Sequence, residues 1–152
     1  MRPFNRREAL MLAGGAVALA LTPSPSFAQA PASAAAAEAI KKFTGGAEPT
    51  AGKITLDLPE IAENGNTVPL TVTVDSPMTA QSYVKEVLIL AEGNPNPNVA
   101  ALTFSPMSGK AEAAVRIRLA ATQNVVAVAK MSDGAHFIEK KTVKVTIGGC
   151  GG

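Results

Sequence analysis

The chain has few of the side chains from which catalytic sites and covalent crosslinks are built. Its 152 residues include one cysteine, one histidine and no tryptophan. Because a disulfide needs two thiols, no bridge within the chain is available, and the inter-sheet disulfide and buried tryptophan of antibody domains are excluded. The acidic residues are scattered singly, so the sequence shows neither paired carboxylates nor a spacing typical of metal ligands. This inventory argues against an enzyme and indicates no resident metal or cofactor.

Charge is nearly balanced, which bears on the kind of partner. The formal net charge is +2, but residues 31–152 carry 11 basic and 11 acidic side chains. That part of the chain is neutral, so neither nucleic acid nor anionic lipid is indicated as a partner. An apolar content of 47% against 17% charged residues predicts one globular domain with a hydrophobic core rather than a disordered chain.

Residues 1–30 have the pattern of an export signal. A basic start that includes Arg6 and Arg7 is followed by an apolar stretch and then by small residues, which is typical of a twin-arginine signal peptide. The apolar stretch is shorter than the ~20 residues that span a bilayer, so we expect no permanent membrane anchor. Cleavage after Ala28 or after Ala30 fits the small-residue pattern. The sequence therefore predicts a mature protein that works in the periplasm.

Residues 31–46 are rich in alanine and predict one short N-terminal helix. Ser33 is a candidate N-cap, and Gly45-Gly46 is a stop signal. Only two large apolar residues occur in this segment. We therefore expect the helix to lie on a neighbouring surface rather than to form a core of its own.

The body of the chain, residues 47–147, alternates apolar and polar residues, as strands with one solvated face do. Two continuous apolar runs, 87–90 and 125–129, predict strands that are covered on both faces. Turn signals fall between these segments, including the loop GNPNPN at 93–98. The pattern favours an immunoglobulin-like antiparallel β-sandwich of about seven strands. The alternating runs are 54–58, 70–75, 115–119 and 143–147.

Three residues of the body are candidates for chemistry, and each has a simpler interpretation. His136 is expected to be exposed at the start of a last strand that spans about 135–147. A Cys–His pair with the C-terminal cysteine is disfavoured, because the two ends of such a strand are roughly 40 Å apart at ~3.3 Å per residue. Arg116 and Arg118 point to one strand face and could bind an anion, although a solvated polar face is the commoner explanation.

The C-terminus, 148-GGCGG-152, holds the only thiol. Glycine lacks a Cβ, so Gly148, Gly149, Gly151 and Gly152 predict a thin, flexible arm around Cys150. From the end of the last strand, five residues extend at most ~18 Å, which is enough to insert the thiol into a narrow channel of another protein. In an oxidising compartment an odd cysteine implies an intermolecular disulfide or a thiol kept for chemistry.

These features together resemble the SoxY family, the sulfur-carrying subunits of the periplasmic Sox system that oxidises thiosulfate. The resemblance rests on the leader, the Ala-rich helix, the small sandwich, the segment GNPNPNVA at 93–100 and, above all, GGCGG at 148–152. It implies that Cys150 covalently holds sulfur intermediates and that the carrier itself catalyses nothing.

The same resemblance implies a set of partners. A haem c-type enzyme would couple thiosulfate to the thiol, a di-manganese hydrolase would release sulfate, and a sulfane dehydrogenase would oxidise the remaining sulfur. A SoxZ-like subunit would form a heterodimer with the carrier. Strand edges and the run 87–90 are candidates for that contact, although 87–90 fits internal core equally well.

Two functions from other classes remain open on the sequence alone. One is an exported structural or adhesion sandwich that is crosslinked through its single cysteine. The other is a thiol redox enzyme or sensor, which requires a thiolate that the chain itself activates. No basic residue flanks Cys150 and no second, resolving cysteine exists, so both count against the redox hypothesis.

Overall fold

The computed structural model describes residues 32–149 of the chain. The predicted export signal with Arg6 and Arg7 lies outside the described residues, and so do Cys150, Gly151 and Gly152.

One helix and nine strands make up the described part, and the predicted all-β class with a short N-terminal helix is confirmed. None of the helices in residues 32–149 has the length and hydropathy needed to cross a membrane. A single 3₁₀ turn, Pro106–Ser108, follows the sixth strand. The elements are α1 Ala32–Thr44, β1 Thr50–Ala51, β2 Ile54–Asp57, β3 Ile61–Asn64, β4 Val68–Val74, β5 Val84–Ala91, β6 Asn98–Thr103, β7 Ala111–Ile117, β8 Gln123–Met131 and β9 His136–Ile147.

The strands form two sheets that face each other. The larger has the order β1-β9-β8-β5-β6, with β3 also paired to β9, and the smaller has the order β2-β4-β7. Along β4, every second residue is buried between the sheets, because side chains alternate across a strand. The main core lies between the two layers and contains Leu70, Val72, Ile89 and Val125, none of them more than 1% exposed.

Two short strands distinguish the sandwich from the predicted seven-stranded antiparallel one. β1 and β3 both run parallel to β9, with Thr50 opposite Phe137 and Ile61 opposite Lys144. The remaining pairings are antiparallel. With two and four residues, β1 and β3 are too short to show an alternating pattern. Their pairing is decided by where β9 lies, and the sequence did not reveal them.

α1 covers the outer face of the larger sheet. Ala36 packs against Leu90, Val126 and Val128 in a second, smaller apolar cluster. The alternate residues of β5 and β8 belong to the main core. This confirms that the two continuous apolar runs are strands covered on both faces, and that the helix lies on a neighbouring surface.

The ends of α1 differ slightly from the sequence-based bounds. The helix begins at Ala32, one residue before the predicted N-cap Ser33. It stops as predicted, because Gly45 and Gly46 adopt positive φ values of 66° and 89°. The Gly46 amide donates to the Lys41 carbonyl oxygen at 2.9 Å, which closes the last turn in a Schellman motif.

The helix–sheet contact generates a stability prediction. Leu90 is fully buried beneath α1, so Leu90→Ala should lower the free energy of unfolding by about 2–5 kcal/mol through lost burial and the cavity left behind. Urea unfolding measures the change. Met107→Ala is the control, because Met107 is 96% exposed and its truncation should shift stability by no more than about 0.5 kcal/mol. Equal losses in the two variants would contradict the packing described for α1.

Candidate functional site

Gly148 and Gly149 continue directly from the end of β9 and pack against the body of the sandwich. Gly149 is buried, and its amide donates a hydrogen bond to the Leu119 carbonyl oxygen at 2.9 Å. Just before it, the Ile147 carbonyl oxygen accepts from the Gly65 amide at 2.8 Å. The structure therefore differs from the predicted free thread at the first two glycines of the arm, because Gly149 is hydrogen-bonded and both glycines lie close to the backbone of neighbouring loops.

Close backbone approach explains why both positions are glycine. A Cβ added at Gly148 would overlap the Ala120 carbonyl oxygen, and one added at Gly149 would lie 2.7 Å from the Gly65 carbonyl oxygen. Cβ atoms do not approach backbone so closely, so an alanine at either position would push the tail off the body. Here glycine makes a contact possible, whereas the sequence suggested that it provides conformational freedom.

Gly65, in the turn between β3 and β4, forms the other wall of this contact. Its carbonyl oxygen accepts from the Leu119 amide at 2.8 Å. A Cβ on Gly65 would overlap the Leu119 carbonyl oxygen and come within 2.6 Å of the Gly149 nitrogen. Leu119 thus uses both of its backbone groups to join the turn to the tail. We call the backbone of Gly65 and of residues 119–120 the C-terminal seat.

The far side of the C-terminal seat is tied to the Asn/Pro loop by Asn94. Its Nδ2 donates to the Arg118 carbonyl oxygen at 2.8 Å, and its Oδ1 accepts from the Ala120 amide at 2.9 Å. Gln123 supports Asn94 in turn, since its Nε2 donates to Asn94 Oδ1 at 2.8 Å and its Oε1 accepts from the Gly93 amide at 2.6 Å. Both amide side chains are buried and hydrogen-bonded on both of their polar atoms.

The sequence indicated a turn at 93–98 and a family resemblance over 93–100, but it gave no sign of the role of Asn94. The three asparagines of the loop look equivalent in sequence, yet Asn94 is 5% exposed while Asn96 and Asn98 are exposed. The difference arises because residues 118–123 fold back over Asn94. No local signal could have separated these three residues.

Arg116 and Arg118 lie near this loop and are both exposed. They line a cavity of about 280 Å³ together with Asn96 and Asn98. Arg116 Nη1 is 3.4 Å from Thr67 Oγ1, and within residues 32–149 neither arginine forms an ion pair. Anion binding at these residues stays a prediction.

His136 is buried, which contradicts the expectation of an exposed strand-end histidine. It does begin β9, as predicted, but the Phe43 ring of α1 packs edge-on against it at a centroid distance of 6.3 Å. Its Nε2 is buried and has no hydrogen-bond partner in the described part of the chain. Burial and the nearby charge of Lys130 lower the pKa of His136 below its ordinary value. The structure does not bring His136 to the Gly149 end of β9.

The run 87–90 lies in the interior except for Leu88, which is half-buried beside α1. Val87, Ile89 and Leu90 are fully buried, so the equally weighted interpretation as core is the one that the structure supports. Of the candidate contacts, the strand edges remain. In the described part of the chain, β6 lies at one edge of the larger sheet with β1 and β3 at the other, and the smaller sheet ends at β2 and β7. In residues 32–149 no group of three or more histidine, cysteine, aspartate or glutamate side chains is placed to hold a metal ion.

Comparison with known proteins gives a family match and a similar solved structure. The family model described as "Sulfur oxidation protein SoxY" matches residues 40–150, a span that begins within α1 and includes the only cysteine. The sulfur carrier protein SoxY from Chlorobium limicola f thiosulfatophilum is 33% identical, covering 75% of this chain and 98% of that one, with a TM-score of 0.61. No curated protein matches the chain.

Two more distant solved structures show a likeness of fold alone. A superoxide reductase (neelaredoxin) from Ignicoccus hospitalis is 18% identical, with 62% of this chain and 80% of that one covered and a TM-score of 0.55. A putative superoxide reductase from Thermotoga maritima is 15% identical, with 68% and 89% covered and a TM-score of 0.52. These likenesses place the sandwich among known folds and carry no information on activity.

The close backbone crossing at Gly65 generates a second stability prediction. Gly65→Ala should destabilise the chain by about 1–3 kcal/mol, because its new Cβ overlaps backbone atoms that have little room to shift. Urea unfolding measures the loss. Thr67→Ala, two residues away at an exposed position, is the control and should be nearly neutral. If the two variants prove equally stable, the crossing described here does not exist in solution.

The buried His136 generates a pH prediction. Its pKa is lower in the folded chain than the ordinary 6.5, so the unfolded chain binds more protons in this range and stability falls as the pH is lowered. The contribution is fully present above the ordinary pKa and is lost as the pH falls from there towards the folded pKa. Urea midpoints at about pH 7.5 and about pH 5.5 should differ in the wild type and differ less in His136→Gln. If the urea midpoint falls equally in the wild type and in His136→Gln between the two pH values, His136 is not the cause of the fall.

Proposed function

The chain belongs to the SoxY family of sulfur oxidation proteins, and from this we propose that it carries thiosulfate-derived sulfur intermediates covalently on Cys150. The observation that carries the proposal is that the family match extends to residue 150 and so includes the only thiol of the chain. A carrier needs one attachment atom and a way to present it to other proteins. The C-terminal seat holds the residue immediately before that atom, at the end of a long strand.

The chemistry of loading is an oxidative coupling. The thiol of Cys150 and thiosulfate lose two electrons and one proton to form a cysteine S-thiosulfonate, Cys–S–S–SO₃⁻, with a new S–S bond. The electrons pass to a haem c-type partner enzyme. Because the chain has no second cysteine, it has no thiol of its own that would displace the adduct as a disulfide.

Unloading is a hydrolysis followed by further oxidation. Water attacks the sulfonate sulfur of the adduct, the S–S bond to that sulfur breaks, and sulfate leaves with release of a proton. A persulfide, Cys–S–SH, remains on the carrier. A di-manganese hydrolase would perform this step, and a sulfane dehydrogenase would oxidise the remaining sulfur before a second hydrolysis restores the thiol.

The carrier has a presenting role in these reactions and catalyses no step itself. We assign general-base, metal and electron-transfer chemistry to the partner enzymes, since the sequence places no base or resolving thiol beside Cys150. Because the glycines on either side of the cysteine carry no side chains, the arm is thin enough to enter a narrow channel in a partner enzyme. The chain would act in the periplasm after export by the twin-arginine route.

A SoxZ-like subunit is the proposed permanent partner, and the edge strands of the two sheets, β6 among them, are the candidate contacts. An edge strand presents unpaired backbone amides and carbonyls that another chain can pair with. β6, with the sequence NVAALT, carries no charged side chain that would oppose such pairing.

The experiment that tests the carrier function is mass analysis of the C-terminal peptide from cells growing on thiosulfate. We expect a mixture of free thiol and sulfur-bearing forms on Cys150, and loss of every adduct together with loss of thiosulfate oxidation in Cys150→Ser. The matched control is Ser108→Ala, an exposed hydroxyl in the 3₁₀ turn that should change neither. Full thiosulfate oxidation in Cys150→Ser would end the proposal. A disulfide-linked dimer as the sole form of Cys150 would favour the crosslinked structural module instead.

A further inference from the structure

We infer that Asn94 and Gln123 are positioning residues for the carrier cysteine, acting through the C-terminal seat. The inference rests on the proposed function and deepens it, because it says what sets the point at which the thiol leaves the body of the protein. We assign no chemical step to either side chain. Both act through the backbone that holds Gly149.

The position of Gly149 restricts the position of Cys150 by covalent geometry. Consecutive Cα atoms are ~3.8 Å apart, so a residue that follows a held residue starts within that distance of it. Gly149 is buried and hydrogen-bonded to Leu119, and it is the residue immediately before the cysteine. Gly149 therefore sets the point from which the backbone continues into residue 150.

Residues 119–120 of the C-terminal seat lie in a segment that belongs to neither β7 nor β8. β7 ends at Ile117 and β8 begins at Gln123, so residues 118–122 have no ladder of hydrogen bonds to hold them in place. The buried Leu119 side chain anchors this segment in the main core, and its backbone amides and carbonyls need partners outside the sheets. Gly65 and Gly149 provide them on one side, through Leu119.

Asn94 supplies the bonds on the opposite side. It binds the Arg118 carbonyl oxygen and the Ala120 amide, the two groups that flank Leu119, at 2.8 and 2.9 Å. Gln123 then fixes the orientation of the Asn94 amide by donating to its Oδ1 at 2.8 Å. Since Leu119 lies between these two anchor points, the direction of its carbonyl towards Gly149 depends on Asn94.

A fixed base lowers the entropic cost of delivering the thiol. When a partner enzyme binds the arm, it has to order every residue that is free beforehand, and each ordered residue weakens binding. Because Gly148 and Gly149 already lie against the C-terminal seat, the partner does not have to order these two residues. Loss of the seat should therefore weaken recognition of the carrier and leave the chemical step unchanged.

The first experiment measures whether Asn94 holds the tail, and it is independent of sulfur chemistry. Amide hydrogen exchange of Gly149 is followed by NMR in the full purified chain. We expect exchange to be faster by about tenfold in Asn94→Ala, since weakened support opens the Gly149–Leu119 bond more often. Asn96→Ala is the matched control, because Asn96 lies in the same loop, is exposed, and its Oδ1 accepts only from the Asn98 amide. Equal exchange in both variants would overturn the inference.

The second experiment measures the functional effect with the partner enzyme that loads thiosulfate. Asn94→Ala should raise the apparent KM for the carrier by about three- to tenfold with kcat unchanged, whereas Asn96→Ala should match the wild type. A fall in kcat alone, or no change in either constant, would contradict a positioning role. Gln123→Ala leaves the bonds of Asn94 to Arg118 and Ala120 in place and removes the donor that orients the Asn94 amide, so it provides a milder variant should Asn94→Ala fold poorly.

A double variant separates positioning from general destabilisation. Gly148→Ala disturbs the seat from the tail side, because its Cβ would overlap the Ala120 carbonyl oxygen. If both changes act by unseating the tail, Asn94→Ala combined with Gly148→Ala should raise KM no further than the stronger single change. If the increases in KM of the two single variants multiply in the double variant, Asn94 acts through a contact other than the C-terminal seat. Full activity of Cys150→Ser would remove the proposed function instead, while the exchange rates of Gly149 would still report on the seat.

Discussion

The crossing of three backbone segments at Leu119 is the contact on which the presentation of the C-terminus depends. Leu119 binds Gly65 through its amide and Gly149 through its carbonyl, at 2.8 and 2.9 Å. Segments that cross this closely leave no room for a Cβ at Gly65, Gly148 or Gly149. Hydrogen bonds between backbone groups thus hold the end of β9 against the body of the sandwich. Because these positions carry no side chain, the chain remains thin just before Cys150.

The two glycine pairs around the cysteine consequently have separate physical roles. The preceding pair, Gly148 and Gly149, is packed against the C-terminal seat, so its lack of a Cβ serves close contact. In the proposed mechanism the following pair, 151–152, keeps the end of the arm thin for entry into a partner. A composition-based argument treats all four glycines as one flexible linker, because flexibility and close approach select the same residue.

The body of the sandwich is rigid where the seat needs support. β5 and β8 are buried on both faces, between the smaller sheet on one side and α1 on the other. Asn94 lies in the loop that follows β5 and Gln123 is the first residue of β8, so the buried amide pair is attached to the best-packed strands of the fold. A buried amide whose polar atoms are all bonded resists rearrangement, since any move exposes an unpaired group to an apolar surrounding.

Local properties of the sequence, namely periodicity, turn residues and composition, predict the class of fold, the strands covered on both faces and the end of α1 at Gly45-Gly46, and they reveal the single thiol. Long-range contacts set the pairing of β1 and β3 with β9, the burial of His136 under Phe43, and the hydrogen bonds that hold Gly149 and link Asn94 to the C-terminal seat. Each of these depends on residues brought together from distant parts of the chain. Pairing, burial and backbone contact of that kind leave no periodic or compositional trace at the residues concerned.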